Sequence, residues 1–151
     1  MAERYSRVKA QPPEPACQTE LTLRIDQVLP GSVQIPIKAV LLYDSTAPLT
    51  VSVTFHPGDK PPITWYISRE LLYWGLFEAS GTGDVRLWPS TVKGHDVVHM
   101  LLECDGESAL FILDRGIVKD WLDDTYDLVG SAEELAKVDW DAVVSQLING
   151  S

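Results

Sequence analysis

The chain has 151 residues, 45% of them apolar and 23% charged, and a net charge of −10. That length suits one domain able to bury a core without disulfides or metal. Its acidity counts against functions that grip phosphate through clustered cations, whether on nucleic acid or on anionic lipid.

No apolar run approaches the roughly 18 residues that span a bilayer. The N-terminus, MAERYSRVKAQPPEPA, is basic but has no apolar stretch behind it. It lacks the form of a secretory signal, and a cytoplasmic protein is expected. Residues 1–16 read as a disordered leader, because Pro12, Pro13 and Pro15 favour extended chain and supply no amide donors. Residues 17–151 read as a single domain. Cys17 and Cys104 are expected as free thiols.

Strands fill the first half. Over 19–28, Leu21, Leu23 and Ile25 alternate with Thr22, Arg24 and Asp26, the period of a half-buried strand. A turn at 29–32 leads to a second strand, 33–43, apolar on both faces at 39–42. Residues 44–48 turn the chain into a third strand, 50–56, with Val51, Val53 and Phe55 on one face. Pro57, Gly58, Asp59 and Lys60 form a tight connection to a fourth strand, 62–67, which presents Ile63, Trp65 and Ile67. Ser68 is placed to cap a short helix running to Leu76, with Leu71, Leu72 and Gly75 on one face.

Gly81-Thr82-Gly83-Asp84 predicts a turn with positive φ at its glycines. A fifth strand follows at 85–88, and Pro89 is expected to end it by removing an amide donor. Strands over 95–104 and 108–113 flank a turn at 105–107. From Val118 onward a helix carries Val118, Trp121, Leu122 and Thr125 on one face and Asp120, Asp123, Asp124 and Asp127 on the other. Ser131 and Glu134 have the spacing of a capping box. Asp139 is placed to cap a last helix, 140–148, which turns Val143, Val144, Leu147 and Ile148 inward. From 114 to 151 there are nine acids and three bases, which suits a solvated face or, more sharply, a dock for a basic partner.

This order of elements predicts an α+β fold: antiparallel strands in a curved or barrel-like sheet with about three helices. Strand segments 39–42, 97–102 and 109–113 are apolar on both faces. An antiparallel sheet usually keeps one wet face, so these need a second cover. Helices or another subunit can each provide it.

No residue pattern assembles a catalytic centre, and no metal or cofactor is expected. Gly81-Thr82-Gly83 is half a dinucleotide fingerprint, but it follows a helix and opens a strand, the wrong order for a phosphate cradle. His95 and His99 have zinc-protease spacing, with Asp96 where the catalytic Glu belongs. On a strand they lie about 13 Å apart, against metal bonds of about 2 Å. His56 has no nucleophile elbow to serve. Trp65, Tyr66, Tyr73, Trp74, Trp88, Trp121 and Trp140 include rings that could stack on bases, but the nearby cations are only Arg69, Arg86 and Lys93. Trp65 and Trp121 read as core, and Trp74 and Trp88 as contact surface.

The segment 63–90, ITWYISRELLYWGLFEASGTGDVRLWPS, combines TW-x-I-S-R-E-L-L, then GL, then GTGDVR-x-WPS. In that combination it resembles the signature of the SsgA-like sporulation and cell-division proteins of spore-forming actinobacteria. Thr19-Glu20-Leu21-x-Leu23-Arg24 is similar to the family's first strand. Leu42-x-Asp44 with Pro48, and Val53-x-Phe55-His56, are similar to its early core pattern. Trp140-Asp141 and the helix after them are similar to its C-terminus. The likeness runs from about 17 to 148, and the short chain without insertions is most similar to the SsgB-like branch.

The resemblance implies a fold like that of the Whirly and guide-RNA-binding proteins, assembled as a homotrimer. It also implies a non-enzymatic regulator of sporulation-specific division, located at the septum. Such a protein marks septum sites and recruits the tubulin-like protein FtsZ together with other family members. The alternative, a single-stranded nucleic-acid binder, rests on the fold analogy alone, and the acidity counts against it. In a trimer, part of the apolar surface from Val40, Leu42, Val98, Met100 or Leu102 is expected to lie between subunits or under helices. Recognition is then left to exposed residues of the central segment, with Glu78, Asp84, Arg86 and Trp88 as the candidates for partner binding.

Overall fold

The computed structural model describes residues 17–130. The leader 1–16, the capping box at Ser131 and Glu134 and the last helix over 140–148 lie outside these residues.

Alternation in β1 (Gln18–Leu29) buries Leu23 and Ile25 and leaves Thr22 and Arg24 exposed. A 3-10 turn at Pro30–Ser32, with Gly31 at φ 83°, reverses the chain. The meander continues through β2 (Val33–Asp44), β3 (Thr50–His56) and β4 (Ile63–Ser68). Its register sets Leu21 opposite Leu41, Leu41 opposite Val53, and Val53 opposite Trp65. The odd-numbered positions therefore share the core face across four strands. Helix α1 (Arg69–Gly75) comes next. A second meander follows, β5 (Val85–Val92), β6 (His95–Cys104) and β7 (Glu107–Asp114), and then α2 (Arg115–Leu128).

The two meanders form one seven-stranded antiparallel sheet in the order β4-β3-β2-β1-β7-β6-β5. Their join is short, since β1 pairs with β7 only from Asp26 to Val28. The expected barrel-like closure is not found, because β4 and β5 are both edges and the sheet is open. β4 runs directly into α1, which packs against both β4 and β5, so a helix rather than a ladder bridges these edges. The described residues contain two α-helices, where about three were expected for the domain.

Pro89 does not end β5, which continues to Val92 with Pro89 opposite Val98. On an edge strand a proline can turn its missing donor to solvent and lose no ladder bond. The β5–β6 hairpin instead turns at Lys93 (φ 50°) and Gly94 (φ 81°), and the β6–β7 hairpin at Asp105 (φ 52°) and Gly106 (φ 81°). Positive φ at both central residues marks the primed turn that matches strand twist.

Val98, Met100 and Leu102 of β6 are buried against the inner faces of β5 and β7, where Leu87 and Phe111 both stand opposite Met100. The chain's own core shields these three. Val40 and Leu42 stay half-buried on the outer face of the first meander. In α2, Val118, Trp121, Leu122 and Thr125 are buried, as the helical period predicts. Cys17 and Cys104 are both exposed, and Cys104 is a free thiol. No helix among the described residues is long and apolar enough to cross a membrane.

Candidate interaction surface

The central segment starts with a cap. Ser68 Oγ accepts a hydrogen bond from the Leu71 amide at 3.1 Å, which fixes the start of α1. The next residue, Arg69, is fully buried. Its guanidinium lies 4.7 Å from the ring centroid of Tyr43 and 3.8 Å from that of Tyr126, and Nη1 donates to the Thr125 carbonyl at 2.9 Å. Arg69 therefore ties α1 to β2 and α2, and it cannot reach a phosphate outside. Sequence reasoning missed this role. The available signal was a cation in the first turn of a helix, where the dipole disfavours it and a strong partner is needed.

Gly75 and Gly81 shape the path from α1 to β5. A Cβ on Gly75 would stand 2.5 Å from Leu87 Cβ, so the missing side chain lets the helix rest directly on β5. Gly81 has φ +93°, and a Cβ there would fall 2.3 Å from the Val85 carbonyl oxygen. The Ser80 amide donates to the Leu87 carbonyl at 2.8 Å and the Leu87 amide to the Ser80 carbonyl at 3.0 Å, which folds the loop back onto β5. Gly83 departs from expectation. It is not at positive φ, and a Cβ there would meet open space.

Three of the four candidate residues gather on β5 and its approach. Arg86 and Trp88 are two apart on one strand and share the outer face. Arg86 pairs with Glu103 of β6, and both side chains are 44% exposed. Asp84 is exposed, and its carbonyl accepts from the Glu103 amide at 2.9 Å. Trp88 is half-buried because it stacks on His99 across the ladder. Glu78 is exposed just beyond α1, and no hydrogen bond or ion pair among the described residues joins it to the other three. It shares a shallow groove with Trp74, which is 49% exposed. Phe77 is 42% exposed nearby, with the Arg115 guanidinium 4.8 Å from its ring centroid.

His99, weighed in the sequence only as a metal ligand, and Glu103, not singled out there, complete this surface. Cross-strand register is the missing information, since each stands on β6 beside a β5 residue far away in the chain. Burial pushes the His99 imidazole below its ordinary pKa, and its Nδ1 is buried without a hydrogen-bond partner among the described residues. His95 and His99 do lie on a strand, and no group of three metal-ligating side chains converges among the described residues.

A family model described as the Streptomyces sporulation and cell division protein SsgA matches residues 37–134. The sporulation-specific cell division protein SsgB of Salinispora tropica is 35% identical over 88% of this chain and 93% of its own length. The protein of the same name from Streptomyces coelicolor is 34% identical over 85% of this chain and 93% of its own. A solved structure from work on SsgB mutations that correlate to longitudinal cell division during sporulation of Streptomyces coelicolor superposes with a TM-score of 0.78. It is 31% identical and covers 82% of this chain and 97% of that one. The crystal structure of an SsgA-like sporulation-specific cell division protein from Thermobifida fusca superposes with a TM-score of 0.77 at 29% identity, over 87% and 96% of the two chains. With the family model matching most of the described sheet, and relatives of this similarity aligned along most of its length, the chain belongs to the SsgA family of sporulation and cell-division proteins.

Proposed function

We propose that this chain is a non-enzymatic adaptor of sporulation-specific division, which marks septum sites and recruits FtsZ together with other members of its family. It acts in the cytoplasm, at the division septum, as a homotrimer. The observation that carries the reading is the ribbon of Asp84, Arg86 and Trp88 along the edge strand β5. It offers charge and an aromatic ring outward while Leu87 of the same strand is committed to the core. The names of the relatives supply the cellular process. The half-buried outer-face residues Val40 and Leu42 support assembly, since a subunit contact would cover them.

A nucleic-acid reading has less support. The net charge is −10, Arg69 is buried and Arg86 is already paired with Glu103. Too few cations are left to release phosphate counterions. The test is crosslinking of the purified chain in an extract of sporulating cells, with the captured proteins identified. FtsZ or family members recovered with the wild type, and lost with Arg86→Glu, are the expected result. Capture of none of them, or micromolar single-stranded DNA binding with a steep salt slope, would overturn the reading.

A further inference from the structure

The inner side of the sheet carries a recess near the start of β4, away from the α1 end of that strand. The meanders meet through three paired positions of β1 and β7, and through Phe55 and Phe111, whose rings stack with centroids 4.2 Å apart. Beside that stack they part and leave an open cleft of about 560 Å³. Its walls include Ile37 and Trp65 from the first meander and Leu102 and Ala109 from the second. Ile63 stands at the rim, 53% exposed. Recesses of roughly 300–1,000 Å³ with apolar walls are typical of sites that take apolar groups.

The mouth is charged unevenly. Asp105 and Glu107 sit on the β6–β7 hairpin, and Lys60 is the one cation among the described lining residues. Cys104, beside them, has its thiol pKa pushed up, first by the charge of Asp105 and further by Asp84 and Glu107. That lip is a region of negative potential on an already acidic chain.

We infer that this cleft docks a segment of a partner protein that inserts a large apolar side chain between the meanders and sets Lys or Arg against Asp105 and Glu107. A buried apolar anchor ringed by charge is the arrangement that concentrates binding energy at protein interfaces. The sign of the lip selects the flanks, because an acidic segment would meet like charge as it desolvates. The inference needs only the cleft and its lip and does not depend on FtsZ.

The test uses the full chain and a short fluorescein-labelled peptide with Leu-Trp-Leu at its centre and Lys-Arg at each end, read by anisotropy. Two control peptides carry Glu-Asp ends or an Ala-Ser-Ala centre. The expected result is saturable binding of the basic apolar peptide and at least about tenfold weaker binding of both controls. Ile63→Lys, and the double change Asp105→Asn with Glu107→Lys, should each weaken binding about tenfold at an unchanged melting temperature, since these positions are exposed and Asn tolerates the positive φ of residue 105. Arg86→Glu should leave peptide binding unaltered, which separates this site from the β5 ribbon. Absence of saturable binding, equal binding of the acidic control, or indifference to Ile63→Lys would each overturn the proposal. So would binding seen only after removal of residues 1–16, which would give the cleft to the chain's own N-terminal segment. An oligomer that Ile63→Lys dissociates while the peptide fails to bind would give it to a second copy and overturn the proposal equally.

Discussion

Trp88 of β5 and His99 of β6 face each other across the ladder with rings parallel to within 1° and centroids 5.3 Å apart. The contact shields both rings from water, and burial lowers the His99 pKa below its ordinary 6.5. A lowered folded pKa means that the unfolded chain takes up this proton more readily than the folded one. The stability from His99 is therefore full above about pH 6.5, declines as pH falls toward the lowered folded value, and is gone below it. Unfolding midpoints should fall over that range in the wild type and stay flatter in His99→Gln. Tryptophan fluorescence of the folded protein should change at the lower end of that range, where the folded imidazole itself takes up the proton beside Trp88, and in the wild type only.

Arg69 is expected to matter for folding. Arg69→Ala removes a charged hydrogen bond to the Thr125 carbonyl and two ring contacts from a fully buried site. Charged hydrogen bonds and desolvated cation–π contacts suggest a loss of about 2–4 kcal/mol in chemical denaturation. Arg69→Lys should recover only part of it, because an ammonium cannot lie flat between two rings and reach the carbonyl as a planar fork does. A variant with wild-type stability would refute the anchoring role.

The glycines of the central segment should separate cleanly. Gly75→Ala forces α1 away from Leu87 and should cost about 1–3 kcal/mol through overpacking. Gly81→Ala strains a φ of +93° and meets the Val85 carbonyl, for a similar cost of about 1–3 kcal/mol. Gly83→Ala has open space and no positive φ, so its effect should stay within about 0.5 kcal/mol. Thermal melts of the three variants check the order, and a large loss at Gly83 would contradict it.

Arg86→Glu addresses recruitment. Its pair with Glu103 is 44% exposed on both sides, and such pairs contribute about 0–1 kcal/mol. The variant should keep its fold and its oligomer mass by light scattering but lose septal recruitment in cells. Normal septation by this variant would remove Arg86 from the partner surface. A stable wild-type monomer in the same measurement would count against the homotrimer.

Much of the fold could be read locally. Leu21, Leu23 and Ile25 mark the buried face of β1 because side chains on a strand alternate. Val118, Trp121, Leu122 and Thr125 mark the buried face of α2 because a helix repeats every 3.6 residues. The order of the motifs over 63–90 pointed to the family. Such signals depend on near neighbours in the chain. The tertiary structure decided the matters that depend on distant ones. Pro89 is tolerated because β5 is an edge, and Arg69 turns inward because Tyr43 and Tyr126 come from other elements to receive it. Arg86 is paired because register brings Glu103 beside it, and a cleft opens because β1 and β7 share only three positions. Periodicity assigns a residue to a face, but only the packing of remote segments determines what that face meets.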